Sequence, residues 1–302
     1  GSSHFGSSHL AQAFWLGPAR APAFQALGAS MPSGLDALVC AAGRGDRAAV
    51  EHLLPSAPVD GRGPGGSTAL AAACSRGHAD VVECLLAAGA STHVCGKPRP
   101  FDADEAPLKI AARFGHADVM LRLIEAGADV DQLSGEFSTP ALSGVFYSGS
   151  GREDECVAAL LQAGASLELA PGLLSSAVRC CSVETVRALV DTGAPLNADD
   201  VLGPPLLSAI TRVLFTHTEA GTPDLQRILD MAKMLLCRGA DPNLKLKGRR
   251  ILPHFEMLVR EIQDSGTAPP LCQESLRGVA AVVALLEREG AKRGGFCFCF
   301  CS

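Results

Sequence analysis

The stretch GHADVVECLLAAGA at residues 77–90 returns as GHADVMLRLIEAGA at residues 115–128. The copies share a Gly-His-Ala-Asp-Val start and an Ala-Gly-Ala end, and most exchanges between them trade one apolar or helix-favouring side chain for another. In the first copy Val81, Val82, Leu85 and Leu86 fall at i, i+1, i+4 and i+5, which lines up one apolar face of a helix. Gly89 and Gly127 close the two phrases where a left-handed residue is needed to satisfy the last helical carbonyls. A phrase that keeps both its face and its cap is a unit built to stack on copies of itself.

The closing mark recurs along the chain. It reads LLAAGAS, LIEAGAD, LLQAGAS, LVDTGAP, LLCRGAD and LLEREGAK, with glycines at 89, 127, 164, 193, 239 and 290, and a worn copy, HLLPSAPVD, puts Ser56 in that place. The intervals are 33, 38, 37, 29, 46 and 51 residues. They scatter around the period of about 33 expected for a β-turn and two helices. A first helix opens each unit, as in STALAAACSRG (67–77), EAPLKIAARFG (105–115), STPALSGVFYS (138–148) and GPPLLSAITRV (203–213). The Thr-Pro-like starts suit a helix beginning, because a Thr hydroxyl caps free amides and Pro has no amide to leave unpaired.

These residues resemble the ankyrin repeat family, whose pattern runs Thr-Pro-Leu-His-x-Ala-Ala-x-x-Gly-His, then a Val/Leu-rich helix, then Gly-Ala-Asp. Residues 68–90 and 106–128 match it closely, and 139–165, 172–194, 204–240 and 250–291 follow with falling fidelity. LDALVCAAGRGDRAAVEHLLPSA, residues 35–57, lacks the Thr-Pro start and fits a capping unit. The resemblance implies an all-α repeat, an ankyrin-type helix-turn-helix solenoid of about seven units with β-hairpin loops over residues 33–291. Residues 1–32, rich in Gly, Ser, Ala and Pro, read as a disordered segment, and 292–302 as a Cys/Phe-rich tail. Extra residues are expected in the loop HVCGKPRPFDAD (93–104), as SGSG (148–151) between the helices of the fourth unit, and around FTHTEAGTPDLQ and QDSGTAPPLCQES in the last two.

Composition narrows the function. A 47% hydrophobic and 19% charged chain can bury a core, but with only 5% aromatic residues Ala, Leu and Val must fill it. The net charge of −6 argues against broad binding to nucleic acid or anionic membrane. The twelve cysteines include no CxxC pair, and Cys74, Cys84, Cys156 and Cys237 read as buried thiols inside helical patterns. These features suit a cytoplasmic protein, with nuclear import a second option through the basic run KLKGRR (245–250), which otherwise is a solvated turn. The N-terminus shows neither a signal peptide nor a membrane span.

Nothing in the chain spells a catalytic set: no P-loop, no HExxH and no Ser-His-Asp arrangement is legible, so no enzyme activity, cofactor or metal is expected. His78 and His116 each precede an Asp by two residues, yet the family pattern has His there in ordinary repeats, where it bonds backbone. The tail Cys299-Phe300-Cys301-Ser302 has the outline of a lipidation box at Cys299, which would bring the chain to a membrane.

The expected role is a non-catalytic scaffold that binds a protein partner on the concave ankyrin face. The alternative is a substrate-recruiting adaptor or regulatory subunit of a larger enzyme assembly, such as a ubiquitin ligase. At the end of the first helices stand Arg44, Arg76, Arg113 with Phe114, Phe146 with Tyr147, Arg179 and Arg212. In the family these positions commonly contribute to binding surfaces, and Arg and Tyr are over-represented among binding hot spots. The helix dipole explains basic residues at helix ends but not the aromatics. The ridge therefore implies a partner with an acidic or phosphorylated segment and apolar anchors.

Overall fold

The computed structural model describes residues 34–197 except Pro64, Pro100, Phe101 and Pro171, residues 204–209 except Leu207, residues 225–246 except Pro242 and Leu244, and residues 249–250 and 284–288. Helices come in pairs: α1 (Gly34–Arg44) with α2 (Arg47–Leu53), α3 (Ala69–Arg76) with α4 (Ala79–Ala87), and α5 (Pro107–Arg113) with α6 (Ala117–Glu125). In the fourth pair α7 (Ala141–Gly144) runs into a 3₁₀ turn, Val145–Tyr147, before α8 (Glu153–Gln162). The fifth joins α9 (Leu173–Cys180) to α10 (Val183–Asp191), and α11 (Leu225–Cys237) packs on α10. First helices stack in the order α1, α3, α5, α7, and second helices in the order α2, α4, α6, α8, α10.

The repeated phrase explains the stack. Leu85, Leu123, Leu160, Leu189 and Leu235, each four residues before a mark glycine, are fully buried at 0% exposure. The glycines that follow, from Gly89 to Gly239, all take positive φ, the left-handed cap expected of them. First helices approach closely because their packed positions are small: Ala69 through Cys74 of α3 are all buried, and so are Ala111 and Ala112 of α5. The core is one continuous apolar cluster threading every described pair.

Loops are tied to the next unit by a recurring side chain. Asp60 Oδ1 accepts from the Ser91 amide at 2.9 Å, Asp131 Oδ1 from Ser166 at 2.8 Å, and Asn197 Oδ1 from Asp241 at 2.9 Å. The expected hairpins shrink to single antiparallel bridges, Arg62 with Thr68, Gly96 with Glu105, and Ser134 with Thr139. Within the basic run two short strands, β1 (Lys245–Leu246) and β2 (Arg249–Arg250), pair antiparallel.

Three expectations are corrected. Thr68 does cap α3, accepting from Ala71 at 3.1 Å, but Thr139 turns its hydroxyl to Lys109 and leaves Pro140 as the capping residue of α7. Cys74 and Cys156 are buried, whereas Cys84 is half-buried and Cys237 exposed, because Cys84 lies off the Val81, Val82 and Leu85 face of α4 and Cys237 is the last residue of α11. Phe114 and Phe146 are not exposed rings; both are half-buried and pack against the core. Among the described residues all eight cysteines are free thiols, and burial pushes Cys156 up to about 11.

Candidate partner-binding surface

The residues singled out at the ends of the first helices share one structural position but not one chemical state. Arg44, Arg76 and Arg179 are exposed at the last turns of α1, α3 and α9. Tyr147 ends the 3₁₀ turn after α7 and is 77% exposed. Arg212 and Cys299 lie outside the described residues.

Arg113 is committed within the molecule. Its guanidinium lies 3.1 Å from Glu105 Oε2 and 3.5 Å from Asp102 Oδ2, both in the loop that precedes α5. Phe114 beside it is flanked by cations, with Arg99 Cζ 5.2 Å and Arg113 Cζ 5.7 Å from the ring centroid, and the His116 ring stacks at 6.4 Å. Such stacking lets a half-buried ring hold two guanidinium groups in place. The long loop 93–104 is thus pinned at its far end, and Arg62 pins it further, donating to Asp104 at 2.8 Å and to the Cys95 carbonyl at 2.9 Å.

Lys109 was not legible as a special residue. It sits where the family pattern has His, is buried, and donates to the Ser134 carbonyl and to the carbonyl and hydroxyl of Thr139, at 3.0 and 2.9 Å. Burial holds its ammonium below the ordinary lysine range, against the pull of nearby Glu105. The loop that leads into α7 presents Leu133 at 50% and Phe137 at 78% exposure, so with Tyr147 three of the five large hydrophobic side chains exposed among the described residues fall within residues 133–147. A sequence reading passes over Phe137 because it falls between helical patterns.

The two histidines act as clasps. His78 Nε2 lies 3.3 Å from the Gly43 carbonyl, and His116 Nε2 3.4 Å from that of Ser75. Each ring covers the turn glycine of the preceding unit so tightly that a Cβ on Gly45 or Gly77 would come within 2.7 or 2.6 Å of it. In the fourth unit the inserted SGSG takes this place, with Ser150 over Gly115. Ser148 Oγ donates to the buried Glu153 at 2.8 Å. Burial penalises that carboxylate, but the Ser148 hydroxyl and neighbouring backbone amides outweigh it and hold the group below its ordinary range. Among the described residues no group of three or more His, Cys, Asp or Glu is placed to hold a metal, and no helix is long and apolar enough to cross a membrane.

Stacked helix pairs with capped glycines and interlocking loops define a repeat solenoid. Residues 38–134 match the family model for ankyrin repeats, in three copies. The fold is similar to the crystal structure of the human ASB11 ankyrin repeat domain, at 23% sequence identity and a TM-score of 0.53, covering 71% of this chain and 89% of that one. No curated protein sequence matches the chain. The protein therefore has the ankyrin repeat fold, and repeats of this family are in general protein-interaction modules without catalytic activity. The family model counts three copies and the described residues hold five complete helix pairs, with the remainder of the expected seven only partly described.

Proposed function

We propose that the chain is a protein-binding scaffold whose partner lies along the ends of the first helices, meeting Arg44, Arg76, Tyr147 and Arg179, with Phe114 and Phe146 as half-buried support. The observation that carries this reading is Tyr147, a large ring left 77% exposed at a helix end while its neighbour Phe146 packs inward. Exposed aromatic and arginine side chains suit a partner segment that is acidic or phosphorylated and carries an apolar anchor. Arg113 contributes through the pinned loop 93–104, because its charge is already met by Glu105 and Asp102.

A peptide display library graded in acidity and apolar content tests the reading. The chain should enrich acidic peptides with an aromatic or aliphatic anchor, and Tyr147→Ala or Arg76→Ala should each weaken the selected peptide by about 1–3 kcal/mol. Enrichment that is indifferent to both substitutions would place the binding surface elsewhere.

A further inference from the structure

The insertion in the fourth unit does more than lengthen a turn. In the second and third units one residue, His78 or His116, covers the preceding turn glycine; in the fourth, Ser150 covers Gly115 with a hydroxyl on an exposed loop. Gly149 and Gly151 on either side both have positive φ, so the serine stands between two residues that carry no side chain. Ser150 Oγ accepts from the Arg152 amide at 3.2 Å and lies 3.2 Å from Ser148 Oγ. Glu153, Asp154 and Glu155 follow it in sequence. Ser148 is half-buried and donates to Glu153, whereas Ser150 is exposed, with its Oγ turned onto Gly115.

We propose that Ser150 is a phosphorylation site for an acidophilic protein kinase, and that the phosphate unlatches the fourth unit from the third. The Ser150 oxygen attacks the γ-phosphorus of ATP, the bond from that phosphorus to the β–γ bridging oxygen breaks, ADP leaves, and the hydroxyl proton passes to the kinase's base. Glu153 is buried, so the carboxylates that complement a kinase cleft lined with cations are the half-buried Asp154 and the exposed Glu155.

The consequence follows from what surrounds the hydroxyl. A Cβ on Gly115 would come 2.1 Å from Ser150 Oγ, so a phosphate does not fit there unless the loop moves. The cation next to it is Arg152, which bridges Asp118 of α6, at 3.3 Å, to Glu155 of α8, at 2.7 Å. A dianion three residues before Glu153 repels that carboxylate and draws Arg152 away from Asp118. The ion pair between the two units then opens. This inference is independent of the partner-binding reading, since neither its chemistry nor its readout involves a partner.

The test uses the full chain with Mg·ATP and, in parallel, an acidophilic and a basophilic serine kinase, with the phosphate located by mass spectrometry. The acidophilic enzyme should label Ser150, labelling of that peptide should fall at least tenfold in Ser150→Ala, and the basophilic enzyme should leave the site untouched. Phosphate on Ser148 instead, no phosphate in the segment, or equal labelling by both enzymes overturns the site. On the phosphorylated chain, amide exchange at Gly151 and Arg152 should quicken at least tenfold while α3 and α4 stay as they were. Unchanged exchange at those amides overturns the unlatching.

Discussion

The boundary between the second and third units and the boundary between the third and fourth have the same socket and different plugs. Both offer a turn glycine in the left-handed conformation, Gly77 or Gly115, at the end of a first helix. At the first boundary a rigid ring, His116, fills the socket and bonds a carbonyl of the preceding unit. At the second, a four-residue insertion lays Ser150 across it, while Glu153, Ser148 and Arg152 take over the polar work. The difference shows which features carry the stack. Clasps can be rewired because they sit at the rim, whereas the leucine four residues before each mark is fully buried on both sides of the change.

The largest expected effect is therefore the one both boundaries share. Leu85→Ala, Leu123→Ala and Leu160→Ala each remove a fully buried side chain and should cost about 2–5 kcal/mol, read as earlier loss of helical circular dichroism in denaturant. If Leu160→Ala alone left the transition in place, the rewired boundary would not be part of the same cooperative stack.

Next comes the socket itself. Gly77→Ala and Gly115→Ala both force a side chain into φ near +75° and +72°, which alone costs on the order of 1–3 kcal/mol. At Gly77 the new methyl meets the His116 ring, held by its bond to Ser75; at Gly115 it comes closer still, 2.1 Å from Ser150 Oγ, but Ser150 stands on an inserted loop between Gly149 and Gly151. Gly77→Ala should be the costlier by denaturant titration. Equal costs would mean that the inserted loop is as stiff as the ring.

Much of this was legible in the sequence and some was not, for physical reasons. The repeat phrase and its glycines announced the helix pairs, because face and cap are local in sequence. The roles of His78 and His116 followed from the family pattern, and the structure gives the carbonyls they meet. Arg113 falls on the expected binding ridge because nothing local reveals that residues 102 and 105, across a helix start, turn back onto it. Lys109 was missed for the same reason: its three acceptors lie 25 to 30 residues away in the next loop. Arg212 and the tail at Cys299 lie outside the described residues.

Acidity should separate the two boundaries. His116 is held below its ordinary value of 6.5 first by burial, with its bond to Ser75 opposing and Arg152 and His78 adding to the fall. The unfolded ring thus takes up a proton more readily than the folded one. Stability from the neutral ring is present above pH 6.5 and is lost as pH falls through the lower folded value. Glu153 is likewise depressed, from 4.5, so its contribution is present above that pH and disappears only as pH falls through its own folded value. Urea midpoints followed from pH 7 downward should decline in two stages. His116→Gln should flatten the first and Glu153→Gln the second; a single stage that ignores both variants would refute the assignment.

The smallest effect on stability is expected where the largest effect on binding is proposed. Tyr147 is 77% exposed, and truncating such a side chain usually changes folding free energy by no more than about 0.5 kcal/mol. Phe114 differs although it occupies a comparable helix end, because it packs on the core and carries Arg99 and Arg113 over its ring. Phe114→Ala should lose that stacking, about 0.5–1 kcal/mol at a half-exposed site, together with its share of core packing. The pair therefore distinguishes a ring kept for the fold from a ring kept for a partner. Denaturant midpoints that barely move for Tyr147→Ala and clearly move for Phe114→Ala would mark Tyr147 as surface the stack does not need. A clear loss at Tyr147 would instead give the ring a structural duty and remove the observation on which the binding ridge rests.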